Sequence, residues 1–516
     1  MTHQKKLIHN TVANLAGQLM APVISLAMVP IYLAYLGMEP YGLIGFFSAL
    51  LLLLGVFSQG ITHALQREFA RRDHLEGQKS SMRRLALTFE RIYGVLGFLA
   101  ALIIATGAGY ISREWVQSQQ LDYRTVEMAI YLLALRIAIS FPQGVYLSVF
   151  IGTQHQVQSN AITITVTLIG AMINLAVVIL TRSILGLYIA EVATSMILIM
   201  VLRQRAFRIL PAPENADPGI FSSQDVRAIA KPSAGIMWTS GIGIIITQID
   251  RVLLSKLVTL AQLAVYNAGI AGGRLISMLY MPFLTAAFPE TCQIAATGDR
   301  HRLSTHITRN ATVVSMLTAA FALPVCFFAS DILLVWTRQP VISEEGWRIM
   351  VVYILGSLAL SNASVFYMLQ MALGSVHYSA IYNTVALVWY PPIIRWLIQH
   401  YGSEGAAWAW FIYGMITWVF MIAISYARYL ELSQLIHYLR RCLTPILLAA
   451  GVSTLVHLAS QTIIPDRAIW RTMIAGLTAF ALLPAGLMLC LGPTESRRIL
   501  GRLFMQKKNN SAPTDG

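Results

Sequence analysis

Arginine is costly in apolar sequence, and this chain sets Arg91, Arg136, Arg251, Arg274 and Arg395 inside it. A guanidinium stays charged at any working pH and forks onto phosphate oxygens, so cations in such places suit an anionic ligand. Arg136 shares a helical face with Ser140 and Gln143, and Arg274 stands between Asn267 and Ser277. Both lie too deep in their segments to snorkel readily. At a bilayer centre an arginine costs at least about 2.5 kcal/mol, so each needs a partner or a watery space. Arg91 and Arg395 sit nearer segment ends, where snorkelling or topology accounts for them. Asp250, Glu90 and Glu191 are the acids available as partners, while Glu127 and Glu290 sit near interfaces. Asp250 adjoins Arg251, about 100° around a helix, so the two cannot simply face each other. Structural ion pairs explain part of this set, and the cationic excess left over suits an anion.

A second polar group is Asn10, Asn14, Gln18 and Ser25, spaced by four, four and seven, which falls on one helix face. A polar stripe in an apolar segment is either interhelical glue or the lining of a cavity. Pro22 and Pro30 predict a bend in the same segment. No Gly-rich phosphate loop, Ser/His/Asp set or His-Glu-x-x-His motif appears, so the reading is not an enzyme. His155 and His377 occur symmetrically at tight turns, which favours turn structure over catalysis. Cys292, Cys326, Cys442 and Cys490 have no Cys-x-x-Cys spacing and fall in or beside apolar segments. Neither a disulfide framework nor a metal or cofactor site follows.

The elements that hold these residues are membrane-spanning helices. Of 516 residues only 12% are charged, against about 25% in globular proteins, while 56% are hydrophobic and mean hydropathy is +0.64. Apolar runs bounded by charge and turn residues predict about fourteen spans of roughly 20 residues or more. They lie at about 8–36, 42–64, 85–111, 126–151, 157–181, 184–202, 231–257, 262–290, 308–330, 347–374, 380–400, 404–426, 442–462 and 468–491. The fold class is therefore all-α, a polytopic membrane protein. The first run is about twice the length of a signal-peptide core and is read as a retained transmembrane helix. An even number of spans puts both termini on one side. With the termini cytoplasmic, about 24 Lys/Arg lie in cytoplasmic segments, about 8 outside and about 5 within helices. The basic loops are Arg67 to Arg84, Arg203 to Lys231, Arg300 to Arg309 and Arg428 to Arg441. Loops stay below about 30 residues, too short for a soluble domain. A net charge of +14 and a pI of 9.7 come from such loops, not from a basic stripe, which excludes nucleic acid as partner.

Shifting the chain by roughly 220 residues brings out an internal repeat. Ile151-Gly152-Thr153-Gln154-His155 lies on Leu373-Gly374-Ser375-Val376-His377, Gly186 on Gly405, and Tyr41 on Tyr266. The predicted organisation is a six-helix lobe over 1–202, a cytoplasmic linker over 203–230, a second lobe over 231–426, two further helices over 427–491 and a basic tail over 492–516. Parallel repeats of this kind place a cavity between the lobes. A shift of about 225 lays Ser25 on Asp250, so Asp250 is expected to face that space.

Asn14-Leu15-Ala16-Gly17, then Tyr32-Leu33-Ala34-Tyr35-Leu36-Gly37-Met38-Glu39-Pro40-Tyr41-Gly42-Leu43, then Gln59-Gly60-Ile61 leading to Arg67-Glu68-Phe69-Ala70, resemble the first two helices of polysaccharide-type lipid-linked oligosaccharide flippases. These belong to the multidrug/oligosaccharidyl-lipid/polysaccharide exporter superfamily. Gln248-Ile249-Asp250-Arg251 followed by Tyr266-Asn267 resembles the start of their second lobe, and the resemblance runs over roughly 8–430. It implies two six-helix bundles alternating between inward-open and outward-open states in the bacterial inner membrane. The implied substrate is a polyprenyl-pyrophosphate oligosaccharide, with membrane lipids and glycan polymerase or ligase machinery as further partners. Spans thirteen and fourteen resemble the tail groove of lipid II flippases. Many relatives carry an acid where this chain reads Phe57-Ser58-Gln59-Gly60, and here it departs from them.

For such a substrate the candidate ligands are Arg136, Arg274, Arg251, Arg91, Asn14, Gln18 and Asn267. Asp250 and Glu90 are candidates for coupling or ion pairing, and Pro22 and Pro30 for bending or gating. A cation-coupled multidrug exporter, the nearest rival, wants acids in its cavity and not this field of arginines. A membrane glycan polymerase or ligase needs a catalytic loop or soluble face that short outer loops do not supply. A passive scaffold in a glycan-assembly complex is a third class.

Overall fold

The computed structural model describes residues 20, 22–75, 81–210, 223–463 and 468–491. These residues are almost wholly helical, as expected for segments that must satisfy every backbone polar group without water. Their one β-type pairing is an isolated bridge between Gln117 and Thr259. Eleven helical stretches are long and apolar enough to cross a membrane. One of them, His377–Arg428, is two helices joined at Gly402 (φ 59°, ψ −141°). Apolar Pro22–Tyr35 and the 35-residue Ser223–Leu257 occupy the two remaining positions of the fourteen expected spans.

The described chain groups into two compact units, 1–264 with 386–391 and 265–385 with 392–516. The first contains α1 (Pro22–Tyr35), α2 (Met38–His74), α3 (Ser81–Tyr110), α4 (Tyr123–Ser140), α5 (Gln143–Gly152), α6 (Gln156–Thr181), α7 (Ile184–Ile209) and α8 (Ser223–Leu257). A π turn, Ile111–Trp115, ends α3. The fourth expected span is broken into α4 and α5 at Phe141-Pro142, where the proline has no N–H to continue the ladder. α4 packs on α3 and α7, and α2 on α5 and α8. Tyr93, Tyr146, Tyr188, Tyr390, Phe47, Phe69 and Phe150 are among the large side chains fully buried in this unit.

α9 (Leu260–Gly269) leads into the second unit, which contains α10 (Ala271–Ala296), α11 (Arg300–Phe327), α12 (Ala329–Thr337), α13 (Pro340–Ala372), most of α14 (His377–Arg428), α15 (Leu435–Ile463) and α16 (Ala468–Leu491). α11 is its central helix. Val313, Met316, Leu317, Ala320 and Leu323 meet Leu358 of α13, Ala449 of α15 and Leu482 of α16 in one buried cluster.

The internal repeat is visible in the backbone. Left-handed residues break the helices at Gln154 (φ 60°) and Gly374 (φ 68°), and again at Arg182 (φ 48°) and Gly402 (φ 59°), each pair 220 positions apart. After the first break of each repeat an amide reaches back five residues, His155 N to Phe150 O at 2.7 Å and Ser375 N to Gln370 O at 2.8 Å, a Schellman closure. Gln154 therefore answers to Gly374, two residues out of register from the expected match of Gly152 with Gly374. A positive-φ break at matching positions, not a shared glycine, marks the repeat.

The basic loops are also more helical than expected. α2 runs on to His74, α7 to Ile209, and α8 and α11 begin at Ser223 and Arg300. Pairs at i,i+3 and i,i+4 support the first of these extensions: Glu68 binds Arg71 at 2.7 Å and Arg72 at 2.8 Å.

Candidate functional site

Arg136 projects from α4 and pairs through Nη1 with Oε2 of Glu191 on α7. The helix faces explain where this pair points. On α7 the exposed apolar residues are Ile189, Met196, Ile197 and Met200, and at about 100° per residue Glu191 lies on the opposite side. On α4 the exposed residues Met128, Tyr131 and Leu135 form one stripe, and Arg136 lies on another with Ser140, while Gln143 falls beyond the break, at the start of α5. Both charges thus avoid the apolar outer face. Neither is sealed: the Arg136 side chain is 26% exposed and that of Glu191 19%. Tyr32 of α1 and Tyr188 of α7 lie within electrostatic reach of the pair.

Glu90 and Arg91 separate in the same way. Glu90 Oε1 accepts from Arg203 Nε at 3.0 Å, while Arg91 is exposed. The Arg203 guanidinium also lies over the Phe207 ring, 5.0 Å from its centroid.

Asp250 and Arg251 are both buried on α8, and their side chains go different ways, as their spacing requires. Asp250 Oδ1 accepts from the Arg251 backbone N–H at 2.8 Å, whereas Arg251 Nη1 donates to Gln248 Oε1 at 3.1 Å. Arg251 is also within electrostatic reach of buried Tyr41 at the start of α2. In the second unit Arg274 on α10 is exposed, and among the described residues no carboxylate lies within 4.0 Å of it. Asn267 keeps Nδ2 buried with no hydrogen-bond partner among the described residues. Asn14 and Gln18 lie outside the described residues. α1 continues as helix through Pro30, with Pro22 its first described residue and Ser25 exposed.

α8 is fastened at both ends to segments of the first repeat. At its start Asp225 Oδ1 accepts from Arg72 Nη2 at 2.6 Å, with Arg84 Nε 3.7 Å from the other carboxylate oxygen. Arg72 also reaches Glu68 at 2.8 Å and Ser81 Oγ at 3.0 Å, so one guanidinium ties α2, α3 and α8. Arg71 holds the Glu68 carboxyl below its usual range, with Arg72 adding to the effect against partial burial. At the other end Trp115 Nε1 donates to Ser255 Oγ at 3.0 Å, and Leu260 N to Gln117 O at 3.0 Å. Glu39 of α2 accepts the backbone N–H groups of Gln119, Gln120 and Leu121 at 2.8 to 3.0 Å, holding that loop from the other side.

The arrangement holds cations and acids as pairs within membrane-spanning helices. Among the described residues no three of His, Cys, Asp and Glu gather as metal ligands. Sequence reasoning names Glu191 as a plausible partner without choosing it for Arg136, and it misses Arg203, Gln248, Tyr32 and Tyr188. Gln248, one turn before Arg251, carried the one local signal.

The fold is shared with solved membrane transporters. A structure titled "Lipid II flippase MurJ, inward closed conformation" superposes with a TM-score of 0.71 at 13% identity, covering 93% of this chain and 98% of that one. An inward-facing multidrug resistance MATE family transporter of the MOP superfamily gives 0.64 at 14% identity, covering 83% and 96%. In sequence, the Shigella flexneri protein named "Putative O-antigen transporter" is 18% identical over 411 residues, 79% of this chain and 94% of its own length. The family model described as polysaccharide biosynthesis protein matches residues 7–295, more than half of the chain. This chain belongs to the polysaccharide biosynthesis protein family.

Proposed function

We propose that the chain is a flippase that moves a polyprenyl-pyrophosphate-linked oligosaccharide from the cytoplasmic to the outer leaflet of the bacterial inner membrane. It works by alternating access, with both termini cytoplasmic, and serves cell-surface polysaccharide biosynthesis. The observation that carries this reading is Arg136, a cation within a membrane-spanning helix, turned away from the apolar outer face and still partly open. A permanent, forked cation in such a place suits a phosphate anion. The family description and the name of the Shigella relative fit a lipid-linked glycan. Arg274, an exposed cation of the second repeat, is proposed as the other pyrophosphate ligand. Asn267, whose buried Nδ2 has no hydrogen-bond partner among the described residues, is proposed to hydrogen-bond the head group.

The test is the lipid-linked glycan itself. In a deletion strain, mass spectrometry and leaflet-specific labelling should find it accumulating on the cytoplasmic leaflet, and the wild-type chain should clear it. Arg136→Gln and Arg274→Gln should express normally and fail to clear it, and Lys at either place should restore part, since it keeps charge and loses the fork. Normal clearance by both Gln variants would make the arginines structural.

A further inference from the structure

The pair that carries the proposed function has a cost as well as a use. Glu191 already engages Arg136 through Nη1, so a pyrophosphate that takes the guanidinium's charge must compete with that carboxylate. We infer that Glu191 is an internal counter-ion, a protein-borne stand-in for the substrate anion that re-pairs with Arg136 after each release. This rests on the flippase reading and adds to it a residue that sets both affinity and the return step.

Three features support it. Glu191 lies on the face of α7 opposite Ile189, Met196, Ile197 and Met200, so it points inward with Arg136 and not at the apolar surroundings. Both partners keep partial exposure, so the contact is reachable by a ligand, unlike the Arg72–Asp225 pair, whose side chains are only 7% and 8% exposed. Tyr32 and Tyr188 stand within electrostatic reach of the pair, so the surroundings of the carboxylate are not wholly apolar.

The physics of the empty carrier requires such a device. An arginine left unpaired in a closed membrane protein is a buried uncompensated charge, the expensive case. With Glu191 in place, Arg136 stays charge-balanced through the conformational change. The same carboxylate lowers apparent affinity, because substrate meets a free Arg136 only for the fraction of time that the pair is open, and the apparent Kd rises by that fraction. Removing the carboxylate should therefore tighten binding and slow turnover, the reverse of what loss of a substrate ligand does.

The experiment measures binding of farnesyl pyrophosphate, with farnesol as the uncharged control, to full-length protein in nanodiscs, alongside glycan clearance in cells. Wild type should bind farnesyl pyrophosphate over farnesol, and Arg136→Gln should lose that preference. Glu191→Gln should bind farnesyl pyrophosphate about tenfold tighter yet clear glycan more slowly. Glu191→Asp, which keeps the charge and shortens its reach, should shift both in the same direction by less, and it serves if the Gln variant does not fold. Equal or weaker binding in the Glu191 variants, with Arg136→Gln still defective, would overturn the counter-ion and leave the flippase reading intact. No preference for the pyrophosphate in wild type would instead overturn the flippase reading on which the counter-ion depends.

Discussion

Three intramembrane charges on this chain settle in different ways. Arg136 meets a carboxylate, Arg251 meets the neutral Oε1 of Gln248, and Asp250 takes a backbone amide. Gln248 satisfies the geometry of Arg251 without cancelling its charge, and Asp250 is its neighbour within the same buried turn. The expected result for Asp250→Asn is loss of transport, because Arg251 loses the nearest opposite charge along its helix. Adding Arg251→Gln should recover at least part of it by removing the second charge, a coupling that a double-mutant cycle in the clearance assay would measure. Failure of that rescue, and of neutralising any other intramembrane arginine, would assign Asp250 a coupling role with protons or cations.

At the scale of elements, α8 is the informative helix. It opens the second sequence repeat, yet Asp225 at its start and Ser255 near its end both bind residues of the first. The start is held by a pair with little exposure and the right geometry, the kind whose rupture is expensive when one partner is removed. Arg72→Ala should destabilise the protein by about 3–5 kcal/mol, seen as a lower melting temperature in detergent. The double change Arg72→Gln with Asp225→Asn should cost less than Arg72→Ala, since the buried Asp225 carboxylate is not left behind without Arg72. Glu68 adds a pH dependence. Its folded carboxyl titrates below the usual value, so its stabilising effect is present above the unfolded pKa of about 4.3 and is lost as pH falls through the lowered folded value. The melting temperature should therefore fall on acidification below that range, and Glu68→Gln should remove part of the fall while lowering stability at pH 7.

For the whole molecule the proposed cargo carries about two negative charges at its head, and membrane potential acts on them directly at about 2.3 kcal/mol per charge per 100 mV. If the arginines stay near mid-membrane while the head crosses the full field, most of that work assists export from a negative interior. The return step adds no opposing term when Arg136 and Glu191 travel as a neutral pair. In proteoliposomes loaded with lipid-linked glycan on the inner leaflet, an inside-negative potassium diffusion potential should speed outward flipping and the reverse sign should slow it. Equal rates at both signs, with no pH or sodium gradient, would leave ion exchange or downstream consumption of the glycan as the driving force.

What the amino-acid sequence determined by itself is the helical, membrane-spanning character of the chain and its internal repeat. Hydropathy is summed along a line, so scarce charge and long apolar runs reveal α2, α3, α6, α7, α10, α11 and α13 through α16, with α4 and α5 as one run, without knowledge of their neighbours. The repeat survives as backbone breaks at Gln154 and Gly374 and at Arg182 and Gly402, close to where short matches place it. Charge pairing is another kind of quantity. Arg136 finds Glu191 across 55 residues, Glu90 finds Arg203 across 113, and Arg72 finds Asp225 across 153. Nothing local distinguishes Glu191 from Glu90 as a partner for Arg136, because both sit in apolar helices and both need a cation. Tertiary structure decided between them: α4 packs against α7 with those two faces inward, while Glu90 lies within reach of Arg203. The interaction energy falls with distance through a medium that screens poorly, so which helices touch, and by which face, selects the partner.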